Sequence, residues 1–376
     1  MKTKYYLFIG MIMSFLLTAC SSKDSDIDSD ITHFAYQETE NGKWGIMSTE
    51  GEIVVPPTFQ NVPTVVTDDM FFVPRQDGTY ELHNINKPEK IIDANYTDVT
   101  NFSEGKAFVT RKGENISCID KKGNVLFTLS QDIETAFNFL NKKRASIINK
   151  EGRWGNIDMN GKVIIPCKYL FSTPFTNNYA VAVEDDKTVY LIDSNGNKIT
   201  TVNADKQQET LLLIQENLAA WVGDVINGII PYVADGGFGL KNIEEKIIIP
   251  ASPKYQLITS SINGYYVYRT ENGYGVMDEN GKEIIKDKYP VISDFNLNNN
   301  GIFIACIDNK WGILSINNEK LLCPFEYDYI TAISKSSSYF IGVKNQTIYL
   351  ITKNGNIKRQ FKQINATIKG MLERNV

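Results

Sequence analysis

The sequence predicts an all-β repeat protein of about nine three-stranded units, β-propeller-like, with an open β-solenoid as the alternative. Three observations predict it. An aromatic-Gly pair recurs with a period close to 36 residues. A Gly turn follows that pair at a nearly fixed offset. β-branched and aromatic residues fill the runs on either side.

The period comes first, because self-similarity decides the architecture before any local reading. Clear copies are Trp44-Gly45, Trp154-Gly155, Phe238-Gly239, Tyr274-Gly275 and Trp311-Gly312. Degenerate copies around Ile116, Val189 and Ile348 keep only the turn, recognised by Gly123, Gly196 and Gly355, and a weak copy sits at Tyr80. With the aromatic position as origin, the units fall at 44, 80, 116, 154, 189, 238, 274, 311 and 348. The spacings are 36, 36, 38, 35, 49, 36, 37 and 37, and the long one carries an insertion. A chain of 376 residues would otherwise allow two or three domains of about 150 residues. The unbroken tiling leaves no boundary, so residues 32–376 read as one β domain.

Each unit reads as three short strands. Lys106-Ala107-Phe108-Val109-Thr110 typifies the first, the aromatic-Gly run the second, and Val163-Ile164-Ile165-Pro166 the third. Between the second and third lies Asp158-Met159-Asn160-Gly161, matched by Asp120 to Gly123, Asp193 to Gly196 and Asp278 to Gly281. Asp first and Gly fourth is the composition of a type I turn, in which Asp bonds its own backbone and Gly accepts positive φ. Ile46-Met47 and Ile313-Leu314 break the apolar alternation, which predicts strands covered on both faces, as in stacked blades. The aromatic is expected to cover the neighbouring sheet. The Gly after it is expected to admit a close backbone or ring. The Pro ending several third strands is expected to stop pairing there.

The insertion, residues about 203–222, is rich in helix formers. Leu211, Ile214, Leu218 and Trp221 share one helical face, so a short amphipathic helix is expected. Residues 31–36 are expected to complete the first unit, and residues 361–376 to cap the last.

Residues 1–19 read as a lipoprotein signal peptide. Lys2 and Lys4 precede an apolar run from Tyr5 to Leu17, too short to span a bilayer. The run ends Leu17-Thr18-Ala19-Cys20, which resembles the bacterial lipobox and implies lipidation of Cys20, by palmitate among other acyl chains. Removal of residues 1–19 lowers the basic residues from 39 to 37 against 44 acidic ones, a net charge of −7. Residues 20–31, with Asp24, Asp26, Asp28 and Asp30, read as a flexible acidic tether. Acidic residues soon after the lipidated Cys resemble the surface-export signal of Bacteroidetes lipoproteins. That implies an outer-membrane protein on the cell surface, with a periplasm-facing anchor as the alternative.

The whole resembles the bacterial WG-repeat (KWG) family, in lipoproteins of the Bacteroidetes type. Lys43-Trp44-Gly45, Arg153-Trp154-Gly155 and Lys310-Trp311-Gly312 carry the core of that motif, and Ile164-Ile165-Pro166-Cys167-Lys168-Tyr169 its tail. The resemblance implies a β-repeat array and supplies no catalytic residues.

Other chemistry is sparse. Cys118, Cys167, Cys306 and Cys323 remain once Cys20 is assigned to lipid. Cys306 and Cys323 fall two strands apart, about 10 Å, beyond disulfide reach, so free buried thiols are expected. No C-x-x-C pair exists, and Met159 or Lys121-Lys122 occupy positions a calcium loop would need. His33 and His83 share no motif. The doublets Asp68-Asp69, Asp185-Asp186 and Glu244-Glu245 read as solvated turns. No nucleotide-binding or hydrolase signature is present. The sequence therefore predicts no catalytic residue, no metal and no cofactor. A pI near 5.4 argues against nucleic acid as partner.

The expected function is a lipid-anchored cell-envelope binding or scaffold protein, not an enzyme, presenting loops and exposed aromatics to a protein or glycan. The alternative is an envelope carbohydrate-active enzyme on a propeller.

Overall fold

The structure is a computed structural model and describes residues 31–140, 144–173, 175, 178–184, 188–202, 228–259, 264–298, 301–333 and 339–364. The signal peptide, Cys20, the tether and the expected helix lie outside the described residues, as does Asp185-Asp186.

Local chemistry builds each unit. In the eighth, the strand Ile302–Ile307 turns through Asp308-Asn309 into Lys310–Ser315. Both turn residues have positive φ, 51° and 58°, the geometry of a tight hairpin that matches strand twist. The next hairpin is the Asp…Gly turn expected from sequence. Asp193 Oδ1 accepts N–H bonds from Asn195 and Asn197, both 2.8 Å, and Gly196 has φ 81°. Asp120, Asp158 and Asp278 make the same pair of bonds.

The described strands form eight antiparallel sheets, the blades of a β-propeller: six of four strands, one of three and one of six. In a four-stranded blade an inner strand precedes the three of the unit, as Val291–Asn298 precedes Ile302–Ile307, Lys310–Ser315 and Leu321–Tyr327. The nine sequence units map onto eight sheets because one strand serves two units. Lys87–Val99 pairs with Tyr80–Asn84 through its first half and with Lys106–Arg111 through its second.

Contacts between units repeat. The glycine of each Asp…Gly turn lies against the third strand of the preceding unit. A Cβ on Gly161 would stand 2.5 Å from the Phe127 ring, and one on Gly281 2.8 Å from Ile249. A Cβ on Gly123 would stand 3.1 Å from Asp93, so the two halves of the six-stranded sheet meet as other neighbours do. A Cβ on Gly51, in the first unit, would stand 2.8 Å from Leu350 in the ninth.

That last contact closes the ring. Gln363–Ile364 pairs with His33–Gln37, with Tyr36 opposite Ile364. Arg359 Nε donates to Gly51 O at 2.6 Å. Phe361 packs edge-on against Phe34 and Tyr36, each at 6.0 Å between centroids. The open solenoid is excluded. Gln363–Ile364 supply a strand to the first blade, and the rest of the expected cap, residues 365–376, lies outside the described residues.

The third strands depart from expectation. Pro does not end them. Trp154 faces Tyr169 and Asn156 faces Ile165, so two residues of the middle strand oppose a span of four on the outer one. Pro166 sits in that bulge, as Pro324 and the Pro56-Pro57 pair do in theirs. A bulge tolerates the missing N–H, and pairing then resumes to the closing aromatic.

Candidate binding surface

The motif residues are spent on packing. Trp154 is stacked on Phe137 at 5.2 Å and meets Phe171 of the next blade edge-on at 5.2 Å. It therefore covers the neighbouring sheet, as expected. Trp311 and Phe238 are buried, while Trp44 and Tyr274 are half-buried. Gly45, Gly155, Gly239, Gly275 and Gly312 lie where a Cβ would meet backbone of the bulged outer strand at 2.5–2.9 Å. A tyrosine of the first strand lies over three of them: Tyr36 on Gly45, Tyr232 on Gly239 and Tyr268 on Gly275. Only a residue without Cβ leaves room for both ring and bulge.

The tail tyrosines join neighbouring units. Tyr169 Oη donates to Gly196 O at 3.3 Å and Tyr327 Oη to Gly355 O at 3.4 Å. Tyr289 Oη binds Glu319 at 3.0 Å, at the equivalent turn. Sequence reasoning missed this role, because the contact partner lies about 27 residues away in the next unit.

The remaining candidates have structural partners. Cys118, Cys306 and Cys323 are buried free thiols and Cys167 a half-buried one. Burial pushes the thiols of Cys118 and Cys323 up to about 12. His83 is buried and stacked on Phe71 at 5.3 Å, with Nδ1 2.9 Å from Pro88 O. Burial lowers the His33 pKa, partly opposed by Asp69. Asp68 accepts the N–H of Gly105 at 2.7 Å, and Glu245 binds the buried Lys241 ammonium at 2.8 Å. Lys241 also reaches Thr200 Oγ1 and Thr201 O, tying the sixth unit to the fifth. Among the described residues no cluster of three His, Cys, Asp or Glu side chains is placed to hold a metal.

One unit carries a polar row where the others are apolar. Ser146 faces Asn156 within the blade of the fourth unit. The register position of Asn156 holds Ile46, Leu82, Cys118, Leu191, Leu240, Val276, Ile313 and Leu350 elsewhere. Asn156 Oδ1 and both amide atoms of Asn138 are buried without a hydrogen-bond partner in the protein. Asn138 lies in the irregular stretch of its strand opposite Ser146.

The accessible apolar surface lies on the rim. No described aromatic is fully exposed, which corrects the expectation of exposed tyrosines. The exposed residues are aliphatic and most start an outer strand, as Ile53, Val125, Val163, Ile247, Leu321 and Ile357 do, while Ile91 lies inside Lys87–Val99. These seven fall in seven of the nine units, each beside a strand edge that no other described strand covers except within the six-stranded sheet.

Comparisons with known proteins agree with this geometry. A model of the WG containing repeat matches residues 44–80, 86–114, 154–187 and 274–311. No curated protein matches the chain in sequence. Among solved structures, a eukaryotic initiation factor is similar with a TM-score of 0.55 at 9% identity, covering 89% of this chain and 97% of that one. The computationally designed Ika8 protein is similar with a TM-score of 0.39 at 12% identity, covering 79% and 94%. BamB from Moraxella catarrhalis is similar with a TM-score of 0.38 at 10% identity, covering 79% and 86%. At such identities the first of these likenesses speaks to fold alone. The chain carries the WG-containing repeat at four places in a β-propeller of eight sheets.

Proposed function

We propose that the protein is a lipid-anchored binding or scaffold protein of the cell envelope, holding a rigid ring whose loops and rim meet a protein or glycan partner. One observation carries the reading: the recurring motif residues make and close the ring, each aromatic and glycine engaged with a neighbouring strand or blade. A scaffold so built presents its loops in fixed relative positions, which favours recognition at little ordering cost. The proposed address, an outer-membrane lipoprotein on the cell surface, rests on the sequence from Lys2 to Cys20 and on the acidic tether after it. We infer binding in place of catalysis for the same reason.

Labelled palmitate incorporation tests the anchor. Wild type should take up label and Cys20→Ala should not; equal labelling removes the anchor from the reading. Proteolysis of intact cells tests display: digestion supports the surface, and protection places the protein on the periplasmic side. A partner captured by wild type and by Cys20→Ala alike supports binding through the ring. Turnover of envelope glycans by the purified chain would overturn it in favour of a carbohydrate-active enzyme.

A further inference from the structure

Strand edges in a soluble protein are ordinarily guarded by Pro, by charge or by a partner strand. The outer strands here follow that rule in eight of nine units. Ile53–Phe59, Val163–Tyr169, Ile247–Ser252 and Leu321–Tyr327 carry Pro in the bulge. Glu283–Tyr289 carries Glu283, Lys286, Asp287 and Lys288, Ile357–Phe361 carries Lys358 and Arg359, and Lys198–Thr201 carries Lys198. Lys87–Val99 carries Pro88 and four charged residues in its first half. The ninth, Val125–Thr128, reads Val-Leu-Phe-Thr and has neither Pro nor charge. It ends the six-stranded sheet. Val125 is 52% exposed and Leu126 45%. It also lacks the wide bulge of the Pro-bearing strands, since Ser117 faces Thr128 and Cys118 faces Phe127, and keeps only a narrow bulge at Leu126, where the register shifts by one residue before Ile119 faces Val125.

The flanks of this edge say what fits it. Lys121 and Lys122 stand at its start, in the Asp120–Gly123 turn, and Asp132 stands exposed just past its end. Lys121 makes only an exposed, 3.7 Å contact with Asp69. A second copy laid antiparallel on the same edge would bring the lysines of each copy beside Asp132 of the other, at both ends of the contact. Such a contact is self-complementary, as a two-fold interface must be. A parallel arrangement would set lysines against lysines.

We propose that two copies of this chain associate through the Val125–Thr128 edge, paired antiparallel, with Lys121 and Lys122 facing Asp132 across the dimer axis. Four residues a side make a small contact, so the dimer is a weak, reversible one. It adds backbone hydrogen bonds to a sheet already six strands wide. The inference is independent of the partner proposed above.

Disulfide trapping in cells producing the full chain tests it. Leu126→Cys should give a cross-linked species at twice the chain mass on mild oxidation. Val163→Cys, somewhat more exposed and on a Pro-guarded edge, should stay monomeric. Adding Lys121→Glu and Lys122→Glu to Leu126→Cys should lower trapping roughly tenfold, since like charges then meet at both ends. Further addition of Asp132→Lys should restore it. Sedimentation of the purified full chain should show mass rising with concentration, lost in Leu126→Lys. Equal trapping of Leu126→Cys and Val163→Cys, no trapping of either, or trapping of Leu126→Cys to a chain of different mass would overturn the proposal. Charge reversal that leaves trapping unchanged would do the same.

Discussion

Gly155→Ala tests the physical reason for the aromatic-Gly motif, and its sign is diagnostic. Gly155 lies inside the strand Trp154–Asp158 and has no positive φ, so its backbone conformation is open to alanine. In an unobstructed strand Gly→Ala stabilises by roughly 0.5–1 kcal/mol, because glycine loses more backbone freedom on folding. Here the new Cβ would stand 2.6 Å from Ile165 O, 2.8 Å from Cys167 N and 2.9 Å from Cys167 Sγ. The first two are backbone atoms of the bulged outer strand, so relief requires moving that strand. Overpacking of this kind costs about 1–3 kcal/mol. The expected net loss is therefore about 1–2 kcal/mol, read as a lower urea midpoint at unchanged m-value. Val163→Ala, on the exposed face of the same blade, should move the midpoint by less than about 0.5 kcal/mol equivalent. A Gly155→Ala variant as stable as wild type, or more so, would refute the close-approach reasoning.

Other outcomes follow from the same packing. Phe361→Ala removes a buried ring lodged between Phe34 and Tyr36 at the ring closure, and should cost about 3–5 kcal/mol in thermal or urea unfolding. Asn156→Leu replaces a buried, unpartnered carbonyl with the side chain its register position carries in four other units, and should raise stability by about 1–2 kcal/mol; a loss would mean the polar row is satisfied. Hydrogen bonds from Asn197 and from backbone N–H groups outweigh desolvation and hold the Asp193 carboxyl below its ordinary range. A depressed folded value contributes stability above the unfolded pKa, lost as pH falls through the folded one. Unfolding midpoints should therefore fall below about pH 4, less steeply in Asp193→Asn. With the thiols of Cys118 and Cys323 pushed up to about 12, both should resist alkylation at neutral pH until the chain is unfolded.

Much of the fold was legible because it is local and repeated. Asp at the first turn position and Gly at the fourth act within five residues, and Asp193 with Gly196 does what that composition implies. The glycine beside Trp154 was legible as a close approach, since a strand otherwise has no use for it. The role of Pro166 was not. Its meaning depends on the register between two strands, which composition leaves open. The hydrogen bonds of the tail tyrosines were hidden for a related reason. Tyr169 and Tyr327 reach a turn in the next unit, and that reach depends on blade twist. Residues expected to face a partner are therefore occupied within the ring, and the exposed apolar surface passes to aliphatic residues such as Val163 and Ile357. The edge at Val125–Thr128 was invisible in the sequence, because its lack of Pro and charge matters only once it ends a sheet.

Closure of the ring is the claim on which the rest depends, and a cross-link between its two ends tests it most directly. Gln37 and Gln363 are paired residues of adjacent antiparallel strands, where Cα atoms stand about 4.5–5.5 Å apart, within disulfide range. The double variant Gln37→Cys with Gln363→Cys should form an intramolecular disulfide on mild oxidation of the folded full chain. It should run faster than the reduced form on a denaturing gel, and neither single variant should shift. A folded double variant that stays fully reduced under the same oxidation would contradict the closed ring.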